Sequence, residues 1–230
     1  MKSAIQKGKL YLVATPIGNL GDITLRAIEI LKSVDMIAAE DTRVTGKLLK
    51  YYVIPAKMES FHNYNEARKK DKIISYLLSG QSVAVVSDAG TPGISDPAFS
   101  LVRDAVNAGI ETIAIPGATS VITALVVSGL PMDKFYFGGF PPVKPGPKRK
   151  FFENLINRPE TLIIFESTHR LWKTLEAIQE VFGDRQCALC RELTKKFEQV
   201  IRDSLSSILA NRNDIIMKGE FVLVISGNRG

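Results

Sequence analysis

SDAGTPGISDP, residues 87–97, decides the fold: it follows the apolar run VAVV at residues 83–86 and opens a helical pattern over residues 97–108. A strand that runs through a loop into a helix is the repeating step of an α/β protein. The loop holds two Gly, two Pro, two Asp and no Lys or Arg, so it offers backbone N–H, backbone C=O and carboxylate groups to a small polar ligand. Turn geometry alone is the competing explanation for such a composition.

The missing positive charge is selective. Neither G-x-x-x-x-G-K-[ST] nor G-x-G-x-x-G occurs in the chain, which lowers ATP and NAD as ligands. A ligand carrying its own cationic centre and hydroxyls suits carbonyl oxygens and Asp side chains better, and S-adenosylmethionine, with a sulfonium, an ammonium and a ribose, has that chemistry.

The same alternation extends in both directions from the loop. Strands are predicted at residues 10–14, 36–39, 83–86 and 112–115, with helices starting at residues 22 and 42 and spanning 65–78 and 97–108. Continuous apolar strands between helices predict a parallel sheet covered on both faces. Ligands of such sheets sit beyond the carboxyl ends of the strands, which singles out residues 15–21, 40–43, 87–97 and 116–120. Gly129, Leu130 and Pro131 after a helix at residues 119–128 signal a stop and a hinge near 129–133. A second α/β unit follows, with strands at 135–138, 161–165, 186–190, 198–202 and 220–226 and helices near 149–157, 170–182 and 205–211. The expected organisation is two α/β domains, residues 1–118 and 119–230, the first with a mostly parallel sheet and the second with a mixed one. KPGPK, at residues 144–148, is the one segment that reads as a flexible loop.

Composition excludes several classes. With 230 residues, 45% of them hydrophobic and 23% charged, the chain is long enough for two small cores. The apolar run at residues 10–14 is too short for a signal peptide, and the one at 121–130 is too short to span a bilayer, so a soluble cytoplasmic protein is expected. Cys187 and Cys190 form a C-x-x-C, but a zinc site needs two further ligands and His62 and His169 are distant in sequence; buried thiols are the simpler reading. The net charge of +6 allows a polyanionic partner. Its local concentrations are Arg68, Lys69, Lys70 and Lys72 on one helix and Lys144, Lys148, Arg149 and Lys150 in PPVKPGPKRK, either of which can neutralise phosphates or simply face solvent.

Polar motifs crowd the strand ends: ATPIGNLGD (14–22), AEDTR (39–43), the opening loop, PGATS (116–120), FESTHR (165–170) and CRELTKKFE (190–198). Helix capping competes with a site role for Asp22, Asp41 and Thr168. No Ser/His/Asp signature, H-E-x-x-H or EF-hand loop is present, which leaves hydrolysis and metal-assisted chemistry without support. Methyl transfer from a sulfonium needs mainly alignment and modest help with a proton. Glu40, Asp41, Arg43 and His169 are the candidates for that help, with Arg43 or Arg170 beside a developing alkoxide; a salt bridge for Glu40 and a cap for Asp41 are the structural alternatives.

LYLVATPIGNLGDITLRAIEIL (10–31), AAEDTR (38–43), the opening loop, PGATS, GLP (129–131), FYFGGFPP (135–142), FESTHRL (165–171), RELTK (191–195) and GEFVLVISG (219–227) together resemble the tetrapyrrole-methylase superfamily. Within it they resemble the branch that methylates the 2′-oxygen of a cytidine in the decoding region of 16S rRNA. The resemblance runs in order from Leu10 to Ser226. It implies a homodimer of two-domain α/β subunits that holds S-adenosylmethionine in the cleft between domains and acts on 16S rRNA within the small ribosomal subunit. It places Pro16, Gly18, Ser87, Asp88, Gly90, Thr91, Pro92, Ile94 and Ser95 on the cofactor, followed by Thr119, Ser120 and Val121, with Glu166, Ser167 and Cys190 from the second domain. Thr91 stands where the wider superfamily carries Asp, which points toward the rRNA branch. Many members continue beyond the residue at which this sequence stops, four residues after Ser226. A small-molecule methyltransferase of the tetrapyrrole type and a noncatalytic RNA-binding assembly protein are the alternatives.

Overall fold

The computed structural model describes residues 8–62, 64–96 and 98–229, and the chain divides into two compact units, one ending at Thr119 and the other starting at Ser120. The first contains β1 (Leu10–Val13), α1 (Leu25–Ser33), β2 (Met36–Ala39), α2 (Thr42–Tyr51), β3 (Met58–Ser60), α3 (Glu66–Leu78), β4 (Val83–Val86), α4 (Phe99–Asn107) and β5 (Thr112–Ile115). Its strands are all parallel in the order β3-β2-β4-β1-β5. Both sheet faces are buried. Leu10, Met36, Ala38, Val83 and Val85 pack with α3 and α4, while Val13, Ile37, Ala39, Ala84 and Val86 pack with α1 and α2. Successive residues of a strand point to opposite faces, so burial on both sides requires the uninterrupted apolar runs seen in the sequence.

The second unit contains α5 (Ser120–Val127), β6 (Phe135–Phe137), α6 (Pro145–Glu153), β7 (Thr161–Ser167), α7 (Leu171–Phe182), β8 (Gln186–Arg191), β9 (Gln199–Ser204), α8 (Leu205–Ala210) and β10 (Glu220–Ile225). Its sheet is mixed, in the order β6-β7-β10-β8-β9, with only the β6–β7 pair parallel. Leu162, Ile164, Cys187, Leu189, Phe221, Leu223 and Ile225 form one core with α6, α7 and α8. α5 packs along β10.

Several local expectations need correction. β3 was not predicted: MES is three residues long and only partly buried, too short and too polar for a periodicity signal. KPGPK is the start of α6, with Lys144 as its N-cap and Pro145 in the first turn, where a missing N–H costs nothing. Thr24, not Asp22, caps α1, accepting from Ala27 N–H at 3.1 Å. Thr168 does not cap α7; its hydroxyl donates to the Gly219 carbonyl at 2.7 Å. The predicted start of α4 at Pro97 lies outside the described residues. Among the described residues no helix is long and apolar enough to cross a membrane.

Candidate functional site at the carboxyl edge of the parallel sheet

The loops that leave β1, β4 and β5 are joined at one edge of the first unit. Thr15 and Gly90 exchange backbone hydrogen bonds, N–H to C=O, at 2.9 and 3.0 Å, and the Thr15 hydroxyl donates to the Ser87 carbonyl at 3.1 Å. Gly117 lies against Ala14 so closely that a Cβ there would meet the Ala14 Cβ at 3.0 Å. The β4 loop turns through left-handed backbone at Gly90 (φ +81°), Gly93 (φ +87°) and Ser95 (φ +68°). For Ser95, whose side chain disfavours that region, the conformation is a local strain of the kind that clusters at ligand loops. Pro16, Gly18, Ser87, Asp88, Gly90, Thr91, Pro92, Ile94 and Ser95 are thus carried on two loops that the Thr15–Gly90 bridge ties together. Thr119 closes the first unit, while Ser120 and Val121 open α5 of the second.

Carboxylates surround the β4 loop. Glu40 Oε2 accepts the Asp88 N–H at 3.1 Å, and Asp88 Oδ1 accepts the Asp41 N–H at 3.0 Å. No salt bridge of Glu40 occurs among the described residues; the loop amide takes that place. Asp41 does cap α2, accepting from Arg43 N–H at 2.8 Å, and its carboxylate pairs with the Arg43 guanidinium at 2.6 Å. The guanidinium holds the Asp41 carboxyl down at about 2, which makes it a poor proton acceptor. Asp96 has the opposite character. Burial, and then the neighbouring Glu40 and Asp88 carboxylates, push it up to about 6 against a hydrogen bond from Ser87. Asp96 was quoted in the motif but not selected as a site residue; its signal was a second Asp in a loop that already held Asp88, and the proximity of Glu40 is not legible from sequence.

In the second unit, Glu166 is fully buried at the end of β7 and its two oxygens are taken by protein groups. Oε1 pairs with Arg170 at 2.7 Å and accepts the Ser167 N–H at 2.6 Å, and Oε2 accepts the Thr174 hydroxyl at 2.7 Å. Arg170 also donates to Ser167 Oγ at 3.1 Å and to the Pro141 carbonyl at 3.3 Å, so it is committed to this network rather than available to an alkoxide. His169 is exposed in the turn before α7. Cys187 and Cys190, three residues apart on β8, point to opposite faces and cannot act as a C-x-x-C pair. Cys190 is buried beside the Ala124 carbonyl of α5, and burial pushes its thiol up to about 12, far from a reactive thiolate.

The basic residues separate into free and committed groups. Lys148, expected to contact phosphate, is only 5% exposed and donates to Thr174 Oγ1 at 2.8 Å; the α6 face that carries it packs on α7. Arg149 pairs with Glu153 and Glu180, Lys69 and Lys72 share Glu59, and Lys70 pairs with Asp104. Arg68, Lys144 and Lys150 are exposed and have no ion pair among the described residues.

An α/β sheet with carboxylate-lined loops and no basic side chain from Ser87 to Asp96 defines a class, and comparison with known proteins agrees with it. The chain belongs to the tetrapyrrole (corrin/porphyrin) methylases, whose family model matches residues 9–209. Its relatives are more particular. It is 46% identical over 222 residues to ribosomal RNA small subunit methyltransferase I of Halalkalibacterium halodurans, covering 96% of this chain and 77% of the relative. The Bacillus subtilis protein of the same name is 48% identical over 221 residues, 96% of this chain and 76% of the relative. The fold matches the solved structure of uroporphyrin-III C-methyltransferase from Thermus thermophilus complexed with S-adenosylhomocysteine, with a TM-score of 0.64, 17% identity and coverage of 94% of this chain and 97% of that one.

Proposed function

We propose that this chain is an S-adenosylmethionine-dependent methyltransferase that modifies small-subunit rRNA, at the 2′-oxygen of a cytidine in the decoding region of 16S rRNA. The observation that carries the reading is near-half identity, over almost the whole chain, to two proteins named for small-subunit rRNA methylation. The site chemistry supports it. The residues from Ser87 to Asp96 present carbonyls and carboxylates with no Lys or Arg, which suits a cationic, hydroxyl-bearing group. When bound, S-adenosylmethionine supplies an activated methyl group.

The protein's own contribution is alignment and proton removal. The Thr15–Gly90 bridge and the Glu40 and Asp88 bonds hold the loop shape before any ligand arrives, which limits the entropy lost on binding. A carboxyl that titrates near 6 is mostly ionised at neutral pH and is better matched to accept a proton than one held near 2, so Asp96 takes the role in preference to Asp41. Arg68, Lys144 and Lys150 hold rRNA phosphates. We infer a homodimer that works on the ribosomal subunit in the cytoplasm, and light scattering after gel filtration tests the dimer.

Labelled S-adenosylmethionine incubated with unmethylated small subunits and with naked rRNA is the deciding experiment. Label on a cytidine ribose supports the reading, and label on a base or on no RNA overturns it. Absence of cofactor binding by calorimetry at millimolar concentration removes the enzyme reading altogether.

A further inference from the structure

The segment between β3 and α3 lies outside the site just described. Phe61 anchors its start: the side chain is buried, and its N–H donates to the Ala39 carbonyl at 2.6 Å, directly before Glu40. The segment is therefore tied to the same sheet edge as the cofactor loops. Beyond Phe61 a small side-chain network forms. Asn65 Oδ1 accepts the His62 N–H at 2.9 Å, and Asn65 Nδ2 lies 3.1 Å from His62 Nε2, 3.2 Å from Ser60 Oγ and 3.3 Å from the Ser60 carbonyl. Accepting at Oδ1 orients the amide so that Nδ2 donates to Nε2, which leaves the proton of a neutral His62 on Nδ1. Nδ1 has no partner among the described residues.

The network lies beside a side chain that buries nothing. The Tyr64 ring stands edge-on to the His62 ring, with centroids 6.0 Å apart and planes at 66°, and Tyr64 is 99% exposed. In the first turn of α3 stands Arg68, exposed and without an ion pair among the described residues, whereas Lys69, Lys70 and Lys72 further along are paired with Glu59 and Asp104. An exposed aromatic ring four residues from an unpaired cation is a combination that recognises unpaired nucleotides, the ring taking a base and the cation a phosphate.

We propose that Tyr64 is a stacking platform for an unpaired base of the rRNA substrate, positioned by His62 and Asn65, with Arg68 on the adjoining phosphate. The inference rests on the rRNA reading above. It assigns the β3–α3 segment to substrate recognition, distinct from the loops that hold the cofactor.

The test compares Tyr64→Ala, Tyr64→Phe and the unaltered protein on small subunits, measuring KM for the subunit, kcat, calorimetric affinity for S-adenosylmethionine and the melting temperature. Tyr64→Ala is expected to raise KM for the subunit about tenfold or more, the range that base stacking supplies, with cofactor affinity and melting temperature unchanged. Tyr64→Phe, which keeps the ring, is expected to stay within about twofold. Equal losses in both variants would assign the effect to the hydroxyl and overturn stacking, as would an unchanged KM in Tyr64→Ala. A lower melting temperature or altered oligomeric state in Tyr64→Ala would place the ring in a protein contact and overturn it as well. Failure of the unaltered protein to methylate rRNA would instead overturn the function on which the inference rests.

Discussion

Glu40 and Asp88, 48 residues apart in sequence, fasten the β2 and β4 loops to each other. Glu40 Oε2 accepts the Asp88 N–H at 3.1 Å, and Asp88 returns the connection by accepting the Asp41 N–H at 3.0 Å. Two carboxylates of like charge sit this close because each is bound to an amide of the opposite loop rather than to the other carboxylate. Glu40→Ala removes one of these bonds, worth about 1 kcal/mol, and is expected to weaken S-adenosylmethionine binding by up to about fivefold by loosening the loop. Glu40→Gln retains an acceptor and should stay within about 1.5-fold; calorimetry on both variants separates the bond from the charge.

Asp96 makes stability fall with rising pH. Its folded-state value of about 6 lies above the ordinary 3.8, so the folded protein binds this proton more tightly than the unfolded chain does. The resulting penalty is absent below pH 4, grows between 4 and 6 and is complete above 6. Asp96→Asn removes it, and urea unfolding should show the variant more stable by about 1 kcal/mol at pH 7, after allowance for partial solvation, with the two proteins converging at pH 4.

The same substitution should abolish an apparent pKa near 6 in the methyl-transfer rate of the unaltered protein and slow the reaction about a hundredfold or more. A variant that is stabilised yet fully active would remove Asp96 from the chemistry while leaving its electrostatics intact.

Glu166 is buried with its charge balanced by Arg170. Arg170→Ala leaves that carboxylate unpaired and is expected to cost about 3–5 kcal/mol in denaturant unfolding. A loss smaller than about 1 kcal/mol would mean that Ser167 and Thr174 suffice to hold the charge.

Salt dependence distinguishes free from committed cations. Alanine at Arg68, Lys144 or Lys150 should each reduce the slope of log affinity for rRNA against log salt by about one, whereas Lys148→Met should leave the slope unchanged. Its cost belongs in the melting temperature, since Lys148 is spent on Thr174.

Gly90 turns at φ +81°, and a Cβ there would lie 3.4 Å from Ile17 Cγ2. Gly90→Ala is expected to destabilise the folded protein by about 1–2 kcal/mol, read by thermal melting, with a parallel loss of cofactor affinity.

Much of the fold was legible because its signals are local. VAVV, MIAA and TIAI announce strands buried on both faces, the Gly and Pro residues of 87–97 announce a turn, and the edge at which ligands bind follows from parallel topology. β3 escaped because three half-buried residues carry no period, and the first turn of α6 escaped because Pro and Gly in KPGPK read as a breaker when Pro145 in fact occupies a helix's first turn.

The candidate site could be read from the sequence as a set of strand-end loops but not as a set of charges. By itself the sequence determined the α/β class, the strand-end loops and their lack of positive charge, since hydrophobic period and turn chemistry act over a few residues. Only the tertiary structure decided that Lys148 is buried while Lys144 and Lys150 are free, that Asp41 is spent on Arg43, and that Asp96 lies near Glu40 and is raised to about 6. The reason is that a charge's solvation and its partners depend on residues brought close by folding, and those are distant along the chain.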